Sequence, residues 1–225
     1  MPKLVLIPTP IGNLEDITLR AINTLKEVDF LLAEDTRVSG KLLKHLNISK
    51  PIRSYHSANE HKVVERLAEE ISTKNLVGLV TDAGTPAISD PGFLLVRECL
   101  KLDVEVECLP GATAFVPALA ASGLASESFV FEGFLPHKKG RHKKLSQLKS
   151  IGKTIVLYES PYRVQKLLTE LEEHFGEVHE VVAAREISKL FEEFVRGPVK
   201  EVKQHFEEHP PKGEFVVIVA PFVEQ

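Results

Sequence analysis

The 225 residues predict an α/β protein of two domains: a mostly parallel N-terminal sheet with flanking helices over 1–121, and a C-terminal mixed sheet over 122–225. Three observations carry this. Short branched apolar runs alternate strictly with amphipathic stretches through the first half, the pattern of a parallel sheet covered on both faces. Residues 120–128 (AASGLASES) turn small and polar, which reads as a linker. The closing run, Glu214 to Ala220, reads as a strand antiparallel to part of its sheet.

The elements follow in order. Lys3 to Ile7 is a strand ending in the tight turn Pro8-Thr9-Pro10-Ile11-Gly12-Asn13, after which Asp16 or Thr18 caps a helix with Leu19, Ile22, Leu25 and Val28 inward. Phe30 to Ala33 is a strand ending in Glu34-Asp35-Thr36-Arg37, and Ser39 caps a short helix with Leu42, Leu43 and Leu46 inward. Ile52 to Tyr55 is a strand, followed by a helix carrying Val63, Val64, Leu67 and Ile71. Leu76 to Val80 is brief, branched and uncharged, a buried strand that runs into TDAGTPAISDPG (81–92). Pro91 suits the first turn of the helix Phe93 to Lys101. Val104 to Leu109 is a strand ending in Pro110-Gly111-Ala112-Thr113-Ala114. In the second domain, strands are expected at Phe129 to Phe134, Thr154 to Glu159, Glu180 to Ala184 and Phe191 to Arg196. Ser160-Pro161 starts a helix with Val164, Leu167, Leu168 and Leu171 inward, and another helix runs to His209.

Two turns of small residues, after Val80 and after Leu109, let backbone amides approach a ligand closely. Open α/β sheets bind ligands beyond the carboxyl ends of their strands, so two such turns on neighbouring strands point to a shared pocket. Composition narrows the chemistry. Charged residues are 27% and net charge is −4, so nucleic acid could be met only through a local patch. That patch is the run Lys138, Lys139, Arg141, Lys143 and Lys144, which no RNP-like aromatic ladder accompanies. The N-terminus lacks the apolar length of a signal peptide and no run reaches the ~18 apolar residues of a membrane helix. Cys99 and Cys108 lack CxxC spacing and read as free buried thiols of a reducing cytoplasm. G-x-G-x-x-G, the P-loop, HExxH and G-x-S-x-G are all missing, and His56 and His61 read as parts of a helix start, so no metal is expected. A pocket of backbone amides and small side chains suits an adenosyl or nucleoside ligand.

The motifs IPTPIGNLEDIT (7–18), AEDTRVSGKLL (33–43), TDAGTPAISDPG (81–92), LPGATA (109–114), YESPYR (158–163) and GEFVVIV (213–219) carry a resemblance to the tetrapyrrole-methylase superfamily, the class III methyltransferases, and to its branch that acts on ribosomal RNA. The resemblance spans nearly the whole chain, with DAGTP and SDPG its most specific parts. It implies S-adenosylmethionine (SAM) in a cleft between two α/β domains, a homodimer, and methyl transfer to a ribose 2′-hydroxyl of a cytidine in the decoding region of 16S rRNA, free or within the small ribosomal subunit. Carried over by motif, the cofactor contacts are Ile11, Gly12, Gly84, Thr85, Ile88, Thr113, Ala114, Tyr158 and Ala184. Two departures stand out: Gly84-Thr85-Pro86 where tetrapyrrole relatives carry Gly-Asp-Pro, and Thr9-Pro10-Ile11-Gly12 in place of a Gly-x-Gly turn.

A ribose hydroxyl is a poor nucleophile unless a base or cation helps to remove its proton. Candidates are Glu34, Asp35, Arg37, Asp82, Asp90, Glu159, Arg163, Arg185 and Glu186, with Arg37 and Glu159 foremost because both follow strand ends. Two other readings share the turns: a small-molecule methylase of tetrapyrrole type, which needs a wide apolar cleft, and a ribosome-assembly factor that binds RNA without turnover.

Overall fold

The computed structural model describes residues 1–223, which form two compact units meeting at Thr113/Ala114. The small polar stretch at 120–128 therefore lies inside the second unit. Ahead of it runs a short helix, Phe115–Ala120, that packs on strands of the second unit and takes the division upstream of the expected linker. Pro117 sits in that helix's first turn, where its missing N–H is harmless.

The first unit is a five-stranded parallel sheet of β1 (Lys3–Leu6), β2 (Phe30–Ala33), β3 (Ile52–Ser54), β4 (Leu76–Val80) and β5 (Glu105–Cys108), in the order β3-β2-β4-β1-β5. Helices α1 (Leu19–Glu27) and α2 (Thr36–His45) cover one face, and α3 (Glu60–Ile71) and α4 (Phe93–Lys101) the other. Strand parity sorts the core accordingly. Leu4, Leu6, Leu32, Val77 and Leu79 pack with α3 and α4, while Val5, Ile7, Leu31, Ala33 and Val80 pack with α1 and α2. β4 and β5 are not neighbours, since β1 lies between them. The chain leaves β1 towards β2 on one side and leaves β4 towards β5 on the other, so the carboxyl ends of β1 and β4 flank a topological switch point.

Local chemistry corrects three sequence expectations here. Thr18 caps α1, its hydroxyl accepting from the Ala21 amide at 3.0 Å, and the inward face begins at Ala21, leaving Leu19 exposed. Asp35, not Ser39, caps α2 by accepting from the Arg37 amide at 2.8 Å, and Ser39 is buried within the helix. Cys99 is buried on α4 but Cys108 is exposed on the edge strand β5, so only one of the two thiols is a core residue.

The second unit is a mixed sheet of β6 (Phe129–Phe134), β7 (Thr154–Glu159), β8 (Glu180–Arg185), β9 (Glu193–Pro198) and β10 (Phe215–Val219), in the order β6-β7-β10-β8-β9. β6 and β7 are parallel, and β10 runs antiparallel to both β7 and β8. Helices α6 (Arg141–Ser150), α7 (Val164–Phe175) and α8 (Val199–Glu208) accompany the sheet, with Leu145, Leu148, Leu167, Leu171 and Phe206 packed on Ile155, Leu157, Val217 and Val219. The opposite face receives α5 (Phe115–Ala120), which contacts β7 and β10.

Gly78 tests the packing of the first sheet. A Cβ there would lie 2.7 Å from Leu31 Cδ1, 3.0 Å from Ile7 Cδ1 and 3.1 Å from Val28 Cγ1. Gly78→Val therefore overpacks a filled core and should cost about 1–3 kcal/mol in denaturant unfolding. An unchanged midpoint would mean that the strand has room the geometry does not show.

Candidate active site

In the first unit the site is built at the switch point. The turn after β1 and the turn after β4 are joined by a reciprocal pair of backbone bonds, Thr9 N to Gly84 O at 2.9 Å and Gly84 N to Thr9 O at 3.0 Å. The Thr9 hydroxyl, itself buried, donates to Thr81 O at 3.1 Å and ties the turn to the end of β4. Gly84 has φ +91°, so this turn needs glycine for its conformation, while a Cβ on it would meet Ile11 Cγ2 at an ordinary 3.4 Å. Gly111 is bare for another reason: a Cβ there would stand 2.4 Å from Pro8 Cβ. Thr85 links the third turn, its hydroxyl donating to Ala112 O at 3.0 Å and standing 2.6 Å from the Thr113 hydroxyl. Although β1 separates β4 from β5, these hydrogen bonds tie the turns after the two strands together. Ile11, Gly84, Thr85 and Thr113 are brought together, with Gly12 exposed on the rim and Ile88 about two-fifths exposed on the loop beyond. Such a cradle of main-chain groups and small side chains fits a nucleoside-type cofactor.

Beside it, the carboxylates that follow β2 and β4 are sorted by their partners. Asp35 is clamped by the Arg37 guanidinium (Nε to Oδ1 3.0 Å), which holds its carboxyl well below the usual range, and it also caps α2. Glu34 accepts from the Thr81 hydroxyl at 2.7 Å. Asp82 accepts from the Asp35 amide at 3.0 Å, yet its carboxyl is pushed upward, first by desolvation and then by the neighbouring Glu34 and Asp35 charges. Arg37 projects outward, its side chain 85% exposed. Farther along, a cavity of about 260 Å³ is lined by Glu34, Ser57, Glu60, Ser89, Asp90 and Phe93. Its wall is the 87–92 loop, where Ala87 and Ser89 both adopt positive φ.

In the second unit one register line crosses the whole sheet: Phe134, Tyr158, Val216, Ala184 and Phe194 are paired in sequence across β6, β7, β10, β8 and β9. Tyr158 and Ala184, the two expected cofactor contacts of this unit, therefore share one face. Glu159, the next residue on β7, must point to the opposite face, and it does. Only 1% exposed, it lies with the core packed under α6 and α7 and receives Arg163 Nη2 at 2.7 Å, Arg141 Nη2 at 3.2 Å and the Ser160 amide at 2.9 Å. A carboxylate on the wrong face and already bound by two guanidinium groups is no general base. The candidate base Glu159 is thereby corrected to a structural anchor.

Arg141 is corrected as well. It is 2% exposed, with Nε 2.6 Å from Glu170 Oε2 and Nη1 donating to Pro136 O at 3.3 Å, so its charge faces inward and cannot meet phosphate. Lys138, Lys139 and Lys143 are exposed, and Lys144 reaches Glu132 at 2.8 Å. Arg185 and Glu186 are engaged too, Arg185 with Glu193 at 3.0 Å and Glu186 with Lys189 at 2.8 Å. The sequence reading missed an aromatic group, Phe115, Phe129, Phe131, Phe134 and Tyr158, in mutual contact at the β6 edge. The spacing 129, 131, 134 breaks the period of two, and only the bulge between Phe131 and Gly133 returns the third ring to the same side.

Comparison with known proteins agrees with this geometry. The family model described as tetrapyrrole (corrin/porphyrin) methylases matches residues 3–203. Among curated proteins, the chain is 45% identical to a ribosomal RNA small subunit methyltransferase I of Thermotoga maritima over 98% of its own length and 99% of that protein's. It is 46% identical to the protein of the same name in Synechocystis sp., covering 98% of this chain and 79% of that one. Among solved structures, a diphthine synthase superposes with TM-score 0.76 at 14% identity (97% of this chain, 90% of that one). A cobalt precorrin-4 methyltransferase of cobalamin biosynthesis does so with 0.69 at 20% (97% and 94%), a likeness of fold. With its parallel sheet, its main-chain cradle at the switch point and a second mixed sheet, the chain belongs to the tetrapyrrole methylase family, within the group of ribosomal RNA small subunit methyltransferases I.

Proposed function

We propose that the chain is a SAM-dependent rRNA methyltransferase that modifies the 2′-hydroxyl of a cytidine in the decoding region of 16S rRNA. The observation that carries the reading is the cradle at Gly84, Thr85 and Thr113, whose bare main chain fits a nucleoside cofactor, in a chain of this family. When bound, SAM supplies a methyl group activated by its sulfonium. Ile11, Gly12, Gly84, Thr85, Ile88 and Thr113 would hold it in the first unit, and Ala114, Tyr158 and Ala184 are the second unit's proposed contributors. The substrate would be 16S rRNA or the small ribosomal subunit, met by a cytoplasmic homodimer; among the described residues no helix is long and apolar enough to cross a membrane.

With Glu159 withdrawn, Asp82 is the carboxylate best suited to accept the hydroxyl proton. Its pKa is raised by its surroundings, whereas the Asp35 carboxyl is held low by Arg37. Arg37, outward and half-neutralised by Asp35, is suited to orienting a substrate phosphate or hydroxyl without giving up its own proton. Lys138, Lys139, Lys143 and Lys144 would hold the RNA backbone, and Arg141 would keep their segment in place from beneath.

Thr85→Arg and Ala114→Trp should each fill the cradle and abolish SAM binding in calorimetry while thermal unfolding stays cooperative; unchanged affinity in both would move the cofactor elsewhere. An RNA with a single deoxycytidine at the target should bind but accept no methyl, and Asp82→Asn should lower turnover about 10²–10⁴-fold with little change in SAM affinity. Because the Asp82 pKa is raised and the base must be deprotonated, wild-type turnover should fall with falling pH from above the ordinary aspartate range. Methylation of the deoxy substrate would transfer the reaction to a base atom. Finally, changing Lys138, Lys139, Lys143 and Lys144 to Gln should flatten the dependence of RNA affinity on salt, because fewer counterions are released; an unaltered slope would remove the run from the RNA interface.

A further inference from the structure

Of the aromatic group at the β6 edge, Phe129, Phe131 and Phe134 belong to no buried core cluster and are not among the proposed cofactor contacts, which include Tyr158. Phe129, Phe131 and Phe134 pair with Thr154, Val156 and Tyr158, so all three rings stand on the Tyr158 face of the sheet. Their alignment depends on the bulge, which takes Glu132 out of the ladder and restores the parity that a spacing of 129, 131, 134 would lose. The rings touch in series. Phe115 stacks on Phe131 with centroids 4.4 Å apart, Phe131 meets Tyr158 edge-on at 5.1 Å, and Phe134 meets Tyr158 at 5.7 Å. Phe134 is nevertheless 51% exposed and Phe129 39% exposed, on an edge strand of the sheet. Phe129 and Phe134, partly exposed within a fixed array of rings, make an exposed aromatic patch of the kind that marks interaction sites.

Charge identifies the occupant. The segment that follows β6 carries the exposed Lys138, Lys139 and Lys143, and Lys144 bridges back to the bulge residue Glu132 at 2.8 Å. The buried Arg141, bound to Pro136 O, Glu159 and Glu170, anchors the start of α6 on the helix-covered side of the sheet, so Lys138 and Lys139, in the loop between β6 and α6, are the charges that follow most directly on the aromatic edge. An extended ligand lying here would therefore need flat faces for the rings and negative charge for the lysines. Single-stranded nucleic acid offers both at regular spacing, and every base offers a face whatever its identity. A second copy of the chain pairing through the same patch would bring like lysines together.

We infer that Phe129, Phe131 and Phe134, braced by the edge of the Tyr158 ring, form a stacking surface for unpaired bases of the RNA substrate, with Lys138 and Lys139 beyond the end of β6. This rests on the rRNA reading above and deepens it: the target would be presented as a single strand, with its neighbouring bases laid on β6.

The test is equilibrium binding of a cytidine-containing single-stranded RNA oligonucleotide, and of a duplex of equal length, to the full chain over a range of salt. Phe129→Ala and Phe134→Ala alter exposed rings and should leave the fold intact, as judged by thermal unfolding. Each should weaken single-strand affinity about five- to a hundredfold, as expected for loss of one stacked base. The slope against salt should stay unchanged because no phosphate contact is lost, duplex affinity should hardly move, and Phe134→Trp should restore binding. Equal binding by wild type and both alanine variants, with the lysine-dependent salt slope intact, would overturn the stacking surface and leave the RNA reading standing. Conversion of a dimer to monomer by Phe134→Ala in sedimentation, with RNA affinity per chain unchanged, would overturn it in favour of an interface between copies. A wild-type chain that bound neither RNA would overturn this inference together with the reading on which it rests.

Discussion

Every strand residue in a sheet must face one side or the other, and in this protein that constraint decides where chemistry can occur. Both faces of the first sheet are filled, one by α1 and α2, the other by α3 and α4, so β1, β2 and β4 are buried almost end to end. No functional side chain can project from the middle of such a sheet. What is left is the row of turns beyond the carboxyl ends of the strands. There the change of direction between β1 and β4 opens a place that the Thr9–Gly84 bridge then shapes. The second sheet has its helices and Arg141 on one side and α5 with the aromatic rings on the other, which leaves Tyr158 and Ala184 facing away from Glu159.

The same constraint sorts the charged residues. Glu159 and Arg141 lie next to residues with functional prospects, yet parity and helix register turn them inward, where they neutralise one another together with Arg163 and Glu170. Removing one partner from such a buried set leaves an uncompensated charge at a cost of about 3–5 kcal/mol, so these residues hold the end of β7 and the start of α6 in one arrangement. Asp35 and Asp82, on adjacent strand ends, diverge for the opposite reason. Arg37 occupies the first, while the second is partly desolvated, and that burial with the Glu34 and Asp35 charges outweighs the hydrogen bond it accepts from the Asp35 amide. The two carboxylates are thereby pushed in opposite directions, Asp35 downward by its guanidinium partner and Asp82 upward by burial.

The fold leaves the substrate undetermined, since proteins of quite different substrates share it; the diphthine synthase and the precorrin methyltransferase superpose over nearly the whole chain. Beyond the shared fold, this chain carries the lysine segment after β6, the aromatic edge and, within the cradle itself, Thr85 after Gly84. Thr85 spends its hydroxyl on Ala112 and Thr113, so the turn after β4 is tied to the turn after β5 instead of presenting a charge.

Periodicity and small-residue turns determined the strand–helix alternation of the first unit, the antiparallel closing strand and the turns that meet at the switch point. These depend on residues near one another in the chain, where spacing translates directly into geometry. The sequence also held, in its motifs, the family to which the chain belongs. Tertiary structure alone decided the rest. It set β1 between β4 and β5, gave α5 to the second unit, turned Glu159 and Arg141 inward and gathered Phe129, Phe131 and Phe134 on one face. Each of these turns on a partner distant in the chain: a neighbouring strand, a helix packed across the sheet, or a bulge that shifts register by one residue. Burial and pairing are properties of the folded whole, and a charged or aromatic residue read in isolation carries no sign of which side of a sheet it will face.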